Sequence, residues 1–508
     1  MAFLLGIDKG TSVVKSVVFD AEGRTLAVAR RRVEVLHPQP GWHEEDPHRS
    51  WALCVQTIRE ALAEAKLNGS DIAAIGIAGH MGGVIVVDRQ HRPLRNAIAW
   101  PDERARPALM ALKAANRLDR LFDIAGNGLM PGNTALLLGW LAEHEPDIAA
   151  RAATFMCAKD YLRLRLTGEV ATDPSDLSFV PGDIEGRCFS DELMRACGAA
   201  SWMDRLPPIL DSGAIAGHVM AEAAAETGLA LGTPVITGLG DGAAAPLGTG
   251  AAAPGSALTV LGTSCLNSLV LDGPCKAPQG LGFLFAMPQG RYVRILPNTS
   301  GTITMDWFLD RFGGPQRPDG SWDFDAMQTA AAAIAPGAGG VLLLPYLNGA
   351  GVLAPFADPL ARGAFFGLST HTTREHLLRA VYEALCYSTR DCLAAMPQPP
   401  RSLRLTGGGA NSPFWAQLFA DICGVPIELP ETTESGALGV AMLAAVAVGI
   451  WPDLDTALQH SSRVCARYEP DPQRKAVYDG WFALYQNVRD TYRGLSTQQA
   501  ELVARACA

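Results

Sequence analysis

Short runs of β-branched and apolar residues alternate along the chain with longer segments whose apolar residues recur at helical spacing. The runs predict strands, and the Ala- and Leu-rich segments predict helices. The predicted strands are Leu4–Asp8, Val13–Phe19, Ala73–Ile77, Val84–Val87, Pro234–Thr237, Ala257–Leu261, Val341–Leu344 and Leu403–Leu405. The predicted helices are Pro47–Leu67, Thr134–Glu143, Arg374–Met396, Pro413–Cys423 and Gly436–Gly449. Strands that alternate with helices indicate the α/β fold class.

One local pattern occurs twice, about half a chain apart. Residues 5–12 read LGIDKGTS and lead into an apolar strand ending at Asp20, and residues 258–264 read LTVLGTS and lead into one ending at Asp272. Each is a strand, a Gly-Thr-Ser turn and a second strand, which predicts a duplicated domain, with chance similarity of two hairpins as the alternative. The Ala/Gly/Pro-rich stretch Gly248–Gly255 predicts a boundary near residue 250, and hence domains 1–250 and 251–508.

Composition and charge exclude several classes of protein. A hydrophobic content of 48% with 19% charged residues is globular, and 508 residues exceed what one core usually organises. The net charge of -10 without a basic cluster argues against nucleic acid as a partner. The 11 cysteines show no C-x-x-C pair, so reduced, buried thiols in a cytoplasmic protein are expected. The N-terminus lacks the features of a signal peptide, and Gly436–Trp451 is too short to span a membrane, so we expect a buried helix there and no membrane partner.

The two Gly-Thr-Ser turns are candidate phosphate sites. Backbone N–H groups and hydroxyls in such turns can form anion-binding nests, and two turns could hold the two ends of a polyphosphate. Hairpin turns also select these residues for backbone reasons alone, and that alternative stays open. A Walker A motif is excluded, because the chain contains no Gly-Lys dipeptide.

Two aspartates follow predicted strands. Asp8 lies next to the first turn, where a carboxylate would suit a hydrated Mg²⁺. Asp241 lies between Gly240 and Gly242, with small residues after it, and could accept the proton of an attacking hydroxyl. A turn-forming role is the alternative for both.

Three further segments combine glycine with polar or aromatic residues. Residues 407–411 (GGGAN) follow a strand and open a helix, where glycines permit close approach of a ligand, and residues 434–439 open the next helix in the same way. His80 lies in a Gly-rich turn after a strand, and Trp100 precedes Pro101-Asp102. Helix-entry loops and packing residues are the respective alternatives.

Taken in order, these segments resemble the FGGY carbohydrate kinase family of the actin/hexokinase/Hsp70 superfamily, and are most similar to xylulokinases. The resemblance runs to about residue 450 and rests on residues 6–12, Gly41–Pro47, Met130–Gly132, His144–Pro146, Lys159–Glu169, Leu261–Ser264, Leu344–Tyr346, Gly363–Glu383 and Gly407–Ala410. It implies two actin-like, ribonuclease-H-like domains with a nucleotide and sugar cleft between them. The sugar would lie on the side of the domain 1–250 and ATP on the side of the domain 251–508, with Mg²⁺ in the cleft between them.

The resemblance also implies roles for individual residues. Asp241 matches the catalytic base, and Asp8 and Asp241 match the groups that hold the metal. The residues implied in nucleotide binding are Asp8, Gly10, Thr11, Ser12, Lys15, Gly262, Thr263, Ser264, Gly407, Gly408, Gly409 and Asn411. Those implied at the sugar are His80, Met81, Trp100, Asp102 and Asp241.

The chain departs from the family pattern near the sugar. Leu137 replaces a lysine three residues before Trp140, and Gly242 replaces an asparagine. Residues 80–83 read HMGG where xylulokinases have Gln-Met-His-Gly. Residues 351–355 read GVLAP in place of Gly-Glu-Arg-Thr-Pro. Because sites that read hydroxyls are selective through their polar groups, these losses are expected to shift the preferred substrate.

The sequence therefore predicts an ATP-dependent kinase that phosphorylates a hydroxyl of a small sugar, with a pentulose favoured. A kinase of a polyol or of another ketose, such as erythritol or L-xylulose, is one alternative. A catalytically silent clamp that senses ATP and sugar is the other. A homodimer stays open.

Overall fold

The computed structural model describes residues 2–506. Its strands are β1 (Phe3–Lys9), β2 (Val13–Asp20), β3 (Thr25–Arg32), β4 (Glu44–Glu45), β5 (Ile72–Gly79), β6 (Ile85–Val87), β7 (Ala97–Ile98), β8 (Thr154–Met156), β9 (Ile215–His218), β10 (Pro234–Ile236), β11 (Leu239–Gly240), β12 (Ser256–Leu261), β13 (Cys265–Leu271), β14 (Phe283–Ala286), β15 (Tyr292–Asn298), β16 (Leu342–Leu344), β17 (Ala364–Phe366), β18 (Ser402–Thr406), β19 (Ile427–Pro430) and β20 (Val464–Tyr468).

Its helices are α1 (Pro47–Ala65), α2 (Arg106–Ala114), α3 (Leu118–Ala125), α4 (Thr134–His144), α5 (Pro146–Arg151), α6 (Ala158–Thr167), α7 (Pro174–Leu177), α8 (Asp191–Ala196), α9 (Ala221–Thr227), α10 (Asp241–Thr249), α11 (Ile303–Phe312), α12 (Phe324–Ala332), α13 (Arg374–Ala394), α14 (Pro413–Cys423), α15 (Ser435–Ala447), α16 (Leu454–Ser461) and α17 (Pro472–Ala506).

The predicted elements are present, with small shifts at their ends. The first predicted helix ends two residues early, at Ala65, because Lys66 adopts the left-handed conformation (φ 57°) that ends a helix. The α/β class is confirmed. Strands such as β9 and β20 were not predicted, because they are partly exposed edge strands and carry no run of buried apolar residues.

Two compact units divide the chain. Unit 1 comprises the residues up to Pro254 together with Val270–Val293 and Glu434–Arg463, and unit 2 comprises Gly255–Leu269, Arg294–Thr433 and the residues from Val464 onward. The chain therefore leaves unit 1 and returns to it twice.

Unit 1 is built on a sheet in the order β3-β2-β1-β5-β10-β9, with β11 also paired to β5. The hairpin β1-β2 is antiparallel, β5 runs parallel to β1 and to β10, and β9 closes the edge antiparallel to β10. Apolar residues of this sheet, of α1 and of α6 form one core, which includes Leu5, Ile75 and Trp51.

Helix α15 belongs to unit 1 although it lies late in the chain. It packs on β1 and β5, where two glycines allow the helix backbone to approach the sheet. A Cβ atom on Gly6 would lie 2.3 Å from the carbonyl oxygen of Ala437, and one on Gly76 would lie 2.2 Å from that of Val440. Residues Gly436 to Ala445 of this helix are all buried, as its uniformly apolar sequence predicts. Among the helices of residues 2–506, none is both long and apolar enough to cross a membrane.

Unit 2 repeats this strand plan. Its sheet contains the path β13-β12-β18-β19-β20. The hairpin β12-β13 is antiparallel, β18 runs parallel to β12 and to β19, and β20 closes the edge antiparallel to β19. The two Gly-Thr-Ser hairpins thus occupy equivalent places in two similar sheets, as a duplication would produce.

The cysteines of the described residues are free thiols. The prediction that they are buried holds for Cys54, Cys157, Cys197, Cys265, Cys386 and Cys392. It is wrong for Cys188, Cys275 and Cys465, which are exposed because they lie in surface loops or on the edge strand β20. Cys507 lies outside the described residues.

Candidate active site

The carboxyl ends of parallel strands in unit 1 bring two predicted aspartates to one edge of the sheet. In the β1–β5 pair Asp8 lies opposite Ala78, and in the β11–β5 pair Gly240 lies opposite Gly79. Asp241 follows Gly240 directly and begins α10. Asp8 and Asp241 therefore lie at the edge where α/β sheets usually hold their ligands.

The surroundings of these two carboxylates disfavour negative charge. Burial, and then the charge of Asp8, raise the pKa of Asp241 to about 7, although the backbone N–H of Gly242 donates to its carboxylate over 2.7 Å. Burial likewise raises the pKa of Asp8, against the opposing effect of the Lys15 ammonium. Lys15 itself donates to Glu434 over 2.9 Å. A carboxylate whose pKa lies near neutrality can both accept and release a proton at physiological pH.

The same edge fits a divalent cation. Two half-buried carboxylates, one of which raises the pKa of the other, offer the hard oxygen ligands that Mg²⁺ prefers, together with a reason for a cation to bind. Gly436 leaves room beside Asp8, because a Cβ atom there would lie 3.1 Å from the Oδ2 atom of Asp8.

The first Gly-Thr-Ser turn lies beside Trp100. The indole Nε1 of Trp100 donates to Thr11 Oγ1 over 2.8 Å. Ser12 is exposed, and Gly10 and Thr11 are partly exposed. Trp100 and the turn, predicted for sugar and for phosphate respectively, are thus in direct contact.

His80 and Met81 continue from the end of β5. The sulfur of Met81 would lie 2.6 Å from a Cβ atom on Gly240, so this side chain covers the backbone just before Asp241. The ring of His80 is buried, and its Nε2 lies 3.8 Å from Glu45. Burial and the neighbouring Lys9 ammonium hold the pKa of His80 well below its usual value, so the ring is neutral.

A buried ion pair beneath His80 escaped the sequence analysis. Lys9 donates to Glu45 over 2.9 Å, and both side chains line a cavity of about 20 Å³ together with His80. Within residues 2–506 neither ring nitrogen of His80 has a hydrogen-bond partner. A cavity of this size is large enough for about one water molecule. The sequence did not indicate that Lys9 is buried, because a lysine on a strand ordinarily points to solvent.

Asp102 lies in a different environment from the other predicted sugar residues. It is only 1% exposed, and its carboxylate accepts from the backbone N–H of His43 and from the guanidinium of Arg104. Arg104 in turn lies 3.8 Å from the centre of the Trp42 ring. This network occupies Asp102 with neighbouring protein groups and favours a supporting role.

A second buried charge cluster supports the backbone before Asp241. The ammonium of Lys159 lies 2.6 Å from Asp160, 3.0 Å from Asp173 and 3.0 Å from Asp176, and all four side chains are buried. These carboxylates raise the pKa of Lys159 despite its burial. Burial raises the pKa of Asp176, against the opposing effect of the Lys159 ammonium. Lys159 lies among the carboxylates and provides the charge that a metal ion would otherwise supply.

This cluster reaches the site through a serine. Ser175 Oγ donates to Asp173 over 2.7 Å and accepts the backbone N–H of Gly240 over 2.8 Å. The sequence segment that contains Lys159 contributed to the family resemblance, but nothing in it indicated a link to Asp241. The link depends on how α6, α7 and β11 pack.

In unit 2 the second Gly-Thr-Ser turn and the glycine loop lie together. A Cβ atom on Gly407 would lie 2.4 Å from the carbonyl oxygen of Leu261, the residue before Gly262. Thr263 and Ser264 are exposed, and the backbone N–H of Thr302, just before α11, donates to the Gly262 carbonyl over 2.7 Å.

A cavity of about 490 Å³ adjoins the glycine loop. Gly408, Gly409 and Asn411 line it, together with Tyr382 and Trp415. A Cβ atom on Gly408 would contact nothing within 4 Å, so this backbone faces open space. The volume lies in the range of small-molecule sites, and aromatic walls with a few polar groups are typical of them.

Comparisons with known proteins agree with this organisation. The model of the FGGY family of carbohydrate kinases, N-terminal domain, matches residues 3–248, and that of the C-terminal domain matches residues 257–448.

Full-length relatives cover almost the whole chain. It is 34% identical to the xylulose kinase of Escherichia coli (strain K12), over 98% of this chain and 100% of that one. It is 32% identical to the erythritol kinase of Brucella abortus (strain 2308), over 96% of this chain and 95% of that one. Among solved structures, the gluconate kinase from Lactobacillus acidophilus superposes with a TM-score of 0.89 at 25% identity, covering 98% of this chain and 99% of that chain. The predicted fold is confirmed.

Proposed function

This chain belongs to the FGGY family of carbohydrate kinases, and we propose that it transfers the γ-phosphoryl group of ATP to a hydroxyl of a pentulose. The placement of Asp241 carries the proposal. It is a half-buried carboxylate at the carboxyl edge of the sheet, with a pKa raised to about 7 by burial and by Asp8.

Asp241 acts as the general base. The acceptor hydroxyl lies against its carboxylate, which takes up the hydroxyl proton as the oxygen attacks phosphorus and the bond from phosphorus to ADP breaks. A base with a pKa near the working pH combines the ionised form with sufficient basicity. Met81 covers the backbone before Asp241 and limits the access of water from that side.

Asp8 and Asp241 are the residues that would hold Mg²⁺, which when bound neutralises charge on the phosphate oxygens. Lys15, which lowers the pKa of Asp8, helps to keep that carboxylate ionised for this purpose. Thr11, with the flanking Gly10 and Ser12, offers a hydroxyl and backbone N–H groups to phosphate oxygens.

In unit 2 we assign the nucleoside of ATP to the cavity of about 490 Å³ beside the glycine loop. The exposed backbone of Gly407 and Gly408 permits close approach of the ligand. Asn411 supplies a side-chain amide that can form hydrogen bonds with the polar groups of the nucleoside. Gly262, Thr263 and Ser264 form the phosphate turn of this unit, next to the loop.

The sugar assignment rests on relatives and on the residues near Asp241. A xylulose kinase shares 34% identity over nearly the whole chain, which supports a pentulose. An erythritol kinase at 32% identity supports a four-carbon polyol as the second candidate. The loss of polar family residues near the sugar, as at residues 80–83 and Gly242, supports it as well. We assign Trp100 and Met81 to contacts with the sugar carbon chain. The neutral His80 lies next to Met81 in the chain. Asp102, which pairs with Arg104, has a supporting role and does not contact the sugar in this assignment.

The test is coupled ADP release with Mg·ATP across D-xylulose, L-xylulose, erythritol and gluconate. We expect turnover with D-xylulose well above the ATPase background, and a loss of about 10²-fold or more in Asp241→Asn. Asp204→Asn, an aspartate with a 78% exposed side chain, is the matched control and should retain full turnover.

Wild-type turnover in Asp241→Asn would refute the assignment of the base. Turnover with erythritol but not with D-xylulose would show that the substrate is the polyol and not a pentulose. No turnover with any sugar, combined with a sugar-dependent rise in Tm, would support the silent clamp instead. The cytoplasmic location and the homodimer stay predictions.

A further inference from the structure

Helix α17, to which no motif in the sequence assigns a function, lines a pocket in unit 2. The pocket has a volume of about 220 Å³ and lies between this helix and the loop that connects β16 to β17. Three arginines line it: Arg489 and Arg493 from one face of the helix, and Arg362 from the loop. The buried hydroxyl-bearing Ser496 adds a further polar group to the wall.

Two of these arginines are held in place by other residues. The guanidinium of Arg489 is paired through Nη1 with both carboxylate oxygens of Asp391, and its Nε donates to Asp490 over 2.9 Å. The guanidinium of Arg493 lies 4.2 Å from the centre of the Phe356 ring, a cation–π contact that orients it. Both groups are therefore positioned before any ligand arrives, which lowers the entropy cost of binding.

The third arginine leaves the pocket with an excess of positive charge. Arg362 donates only to backbone carbonyls, those of Pro359 at 3.2 Å and Ala361 at 2.7 Å. Within the described part of the chain no carboxylate lies within ion-pair distance of it. Arg489 and Arg493 share Asp391 and Asp490, so three guanidinium charges face two carboxylates.

We propose that this pocket binds a phosphate-type anion, either inorganic phosphate or the phosphate group of a small monoester. Guanidinium groups match the geometry of phosphate oxygens and donate paired, charge-assisted hydrogen bonds to them. Three guanidinium groups from two separate segments suit a tetrahedral anion, which accepts hydrogen bonds from several directions, better than they suit a flat carboxylate. The volume is too small for a nucleotide, and none of the residues assigned to ATP or to the sugar lines the pocket.

The test measures phosphate binding by titration calorimetry on the full-length chain, with saturating Mg·ADP present to occupy the nucleotide site. Inorganic phosphate and glycerol 3-phosphate are the two probes. Arg362→Gln and Arg493→Gln should each weaken binding about tenfold or more, because each removes a charged donor. Arg505→Gln removes the same charge from the same helix outside the pocket and should leave the affinity unchanged.

Arg362 is exposed and bonds only to carbonyls of its own loop, so its variant should fold, and an unchanged thermal midpoint checks this. Tighter binding of the monoester would assign the pocket to a phosphorylated metabolite, and equal binding would assign it to the inorganic ion. Equal affinity in wild type and both pocket variants, or no binding once Mg·ADP is present, would overturn the proposal. Because the readout is binding and not turnover, it is independent of the kinase assignment.

Discussion

Removing the hydroxyl of Ser175 should impair turnover more than it impairs the fold. In Ser175→Ala, Asp173 loses a hydrogen bond of 2.7 Å and the buried N–H of Gly240 loses its partner at 2.8 Å. Gly240 directly precedes Asp241, so the freed backbone can shift the proposed base.

Ser212 provides the matched control. Its hydroxyl donates to the same oxygen of Asp173 over 2.7 Å, but its side chain does not bond Gly240. A hydrogen bond to a charged group contributes roughly 1.5–3 kcal/mol, and an unsatisfied buried N–H costs about 1–3 kcal/mol. Ser212→Ala should thus lose about 2 kcal/mol of unfolding free energy, and Ser175→Ala about 3–5 kcal/mol.

The effect on catalysis should separate the two variants further. A displacement of about 1 Å at a reacting group can lower a rate by about 10²-fold, so we expect kcat of Ser175→Ala to fall ten- to a hundredfold. Ser212→Ala should stay within about threefold of wild type, since the N–H of Gly240 keeps its bond in this variant. Urea unfolding and steady-state kinetics with Mg·ATP and D-xylulose measure both quantities. Equal kcat values in the two variants would refute the idea that Ser175 positions Asp241 through Gly240.

Three further predictions follow from single contacts. Burial and Asp8 raise the pKa of Asp241 from 3.8 to about 7, so the folded protein binds this proton more tightly than the unfolded chain does. In Mg²⁺-free buffer the unfolding free energy should therefore fall as the pH rises from 3.8 to about 7, by on the order of 4 kcal/mol at most. Asp241→Asn should lose this slope, and an unchanged slope would assign it to another group. Gly6→Ala should lower stability by about 3 kcal/mol or more, since its Cβ atom would lie 2.3 Å from a carbonyl oxygen of α15. By contrast Gly480→Ala, with open space around the Cβ atom in α17, should raise stability by about 0.5–1 kcal/mol, and the opposite order of thermal midpoints would contradict the packing described. Trp100→Phe, which removes the donor to Thr11, should raise KM for Mg·ATP about fivefold without lowering Tm, and an unchanged KM would separate this turn from the phosphates.

Local patterns in the sequence predicted a minority of the elements, and they indicated several candidate site residues. Strand β1 and helix α14 appear where their periodicity places them, since a period of two or of 3.6 residues reflects which face is buried. Asp8 and Asp241 could be singled out because each follows a strand beside glycines. Parallel strands then bring their carboxyl ends to one edge, as β1, β5 and β11 do in this structure.

The contacts that could not be predicted join residues far apart in the chain. Lys159 reaches Asp173 and Asp176 only because α6 and α7 pack together, and Lys9 meets Glu45 only across the end of the sheet. A buried lysine has no local signature, because the free energy of its burial depends on partners that the periodicity does not reveal.

The sequence by itself thus determined the α/β class, the two hairpins and their turns, and the aspartates at strand ends, because each depends on a few neighbouring residues. Only the tertiary structure decided that α15 returns to the sheet of unit 1 and that Ser175 holds the backbone before Asp241. It also gathered Arg362 with the arginines of α17 around one pocket. The physical reason is that backbone propensity and turn chemistry act over a few residues, whereas packing and charge pairing depend on which surfaces meet after the chain has folded.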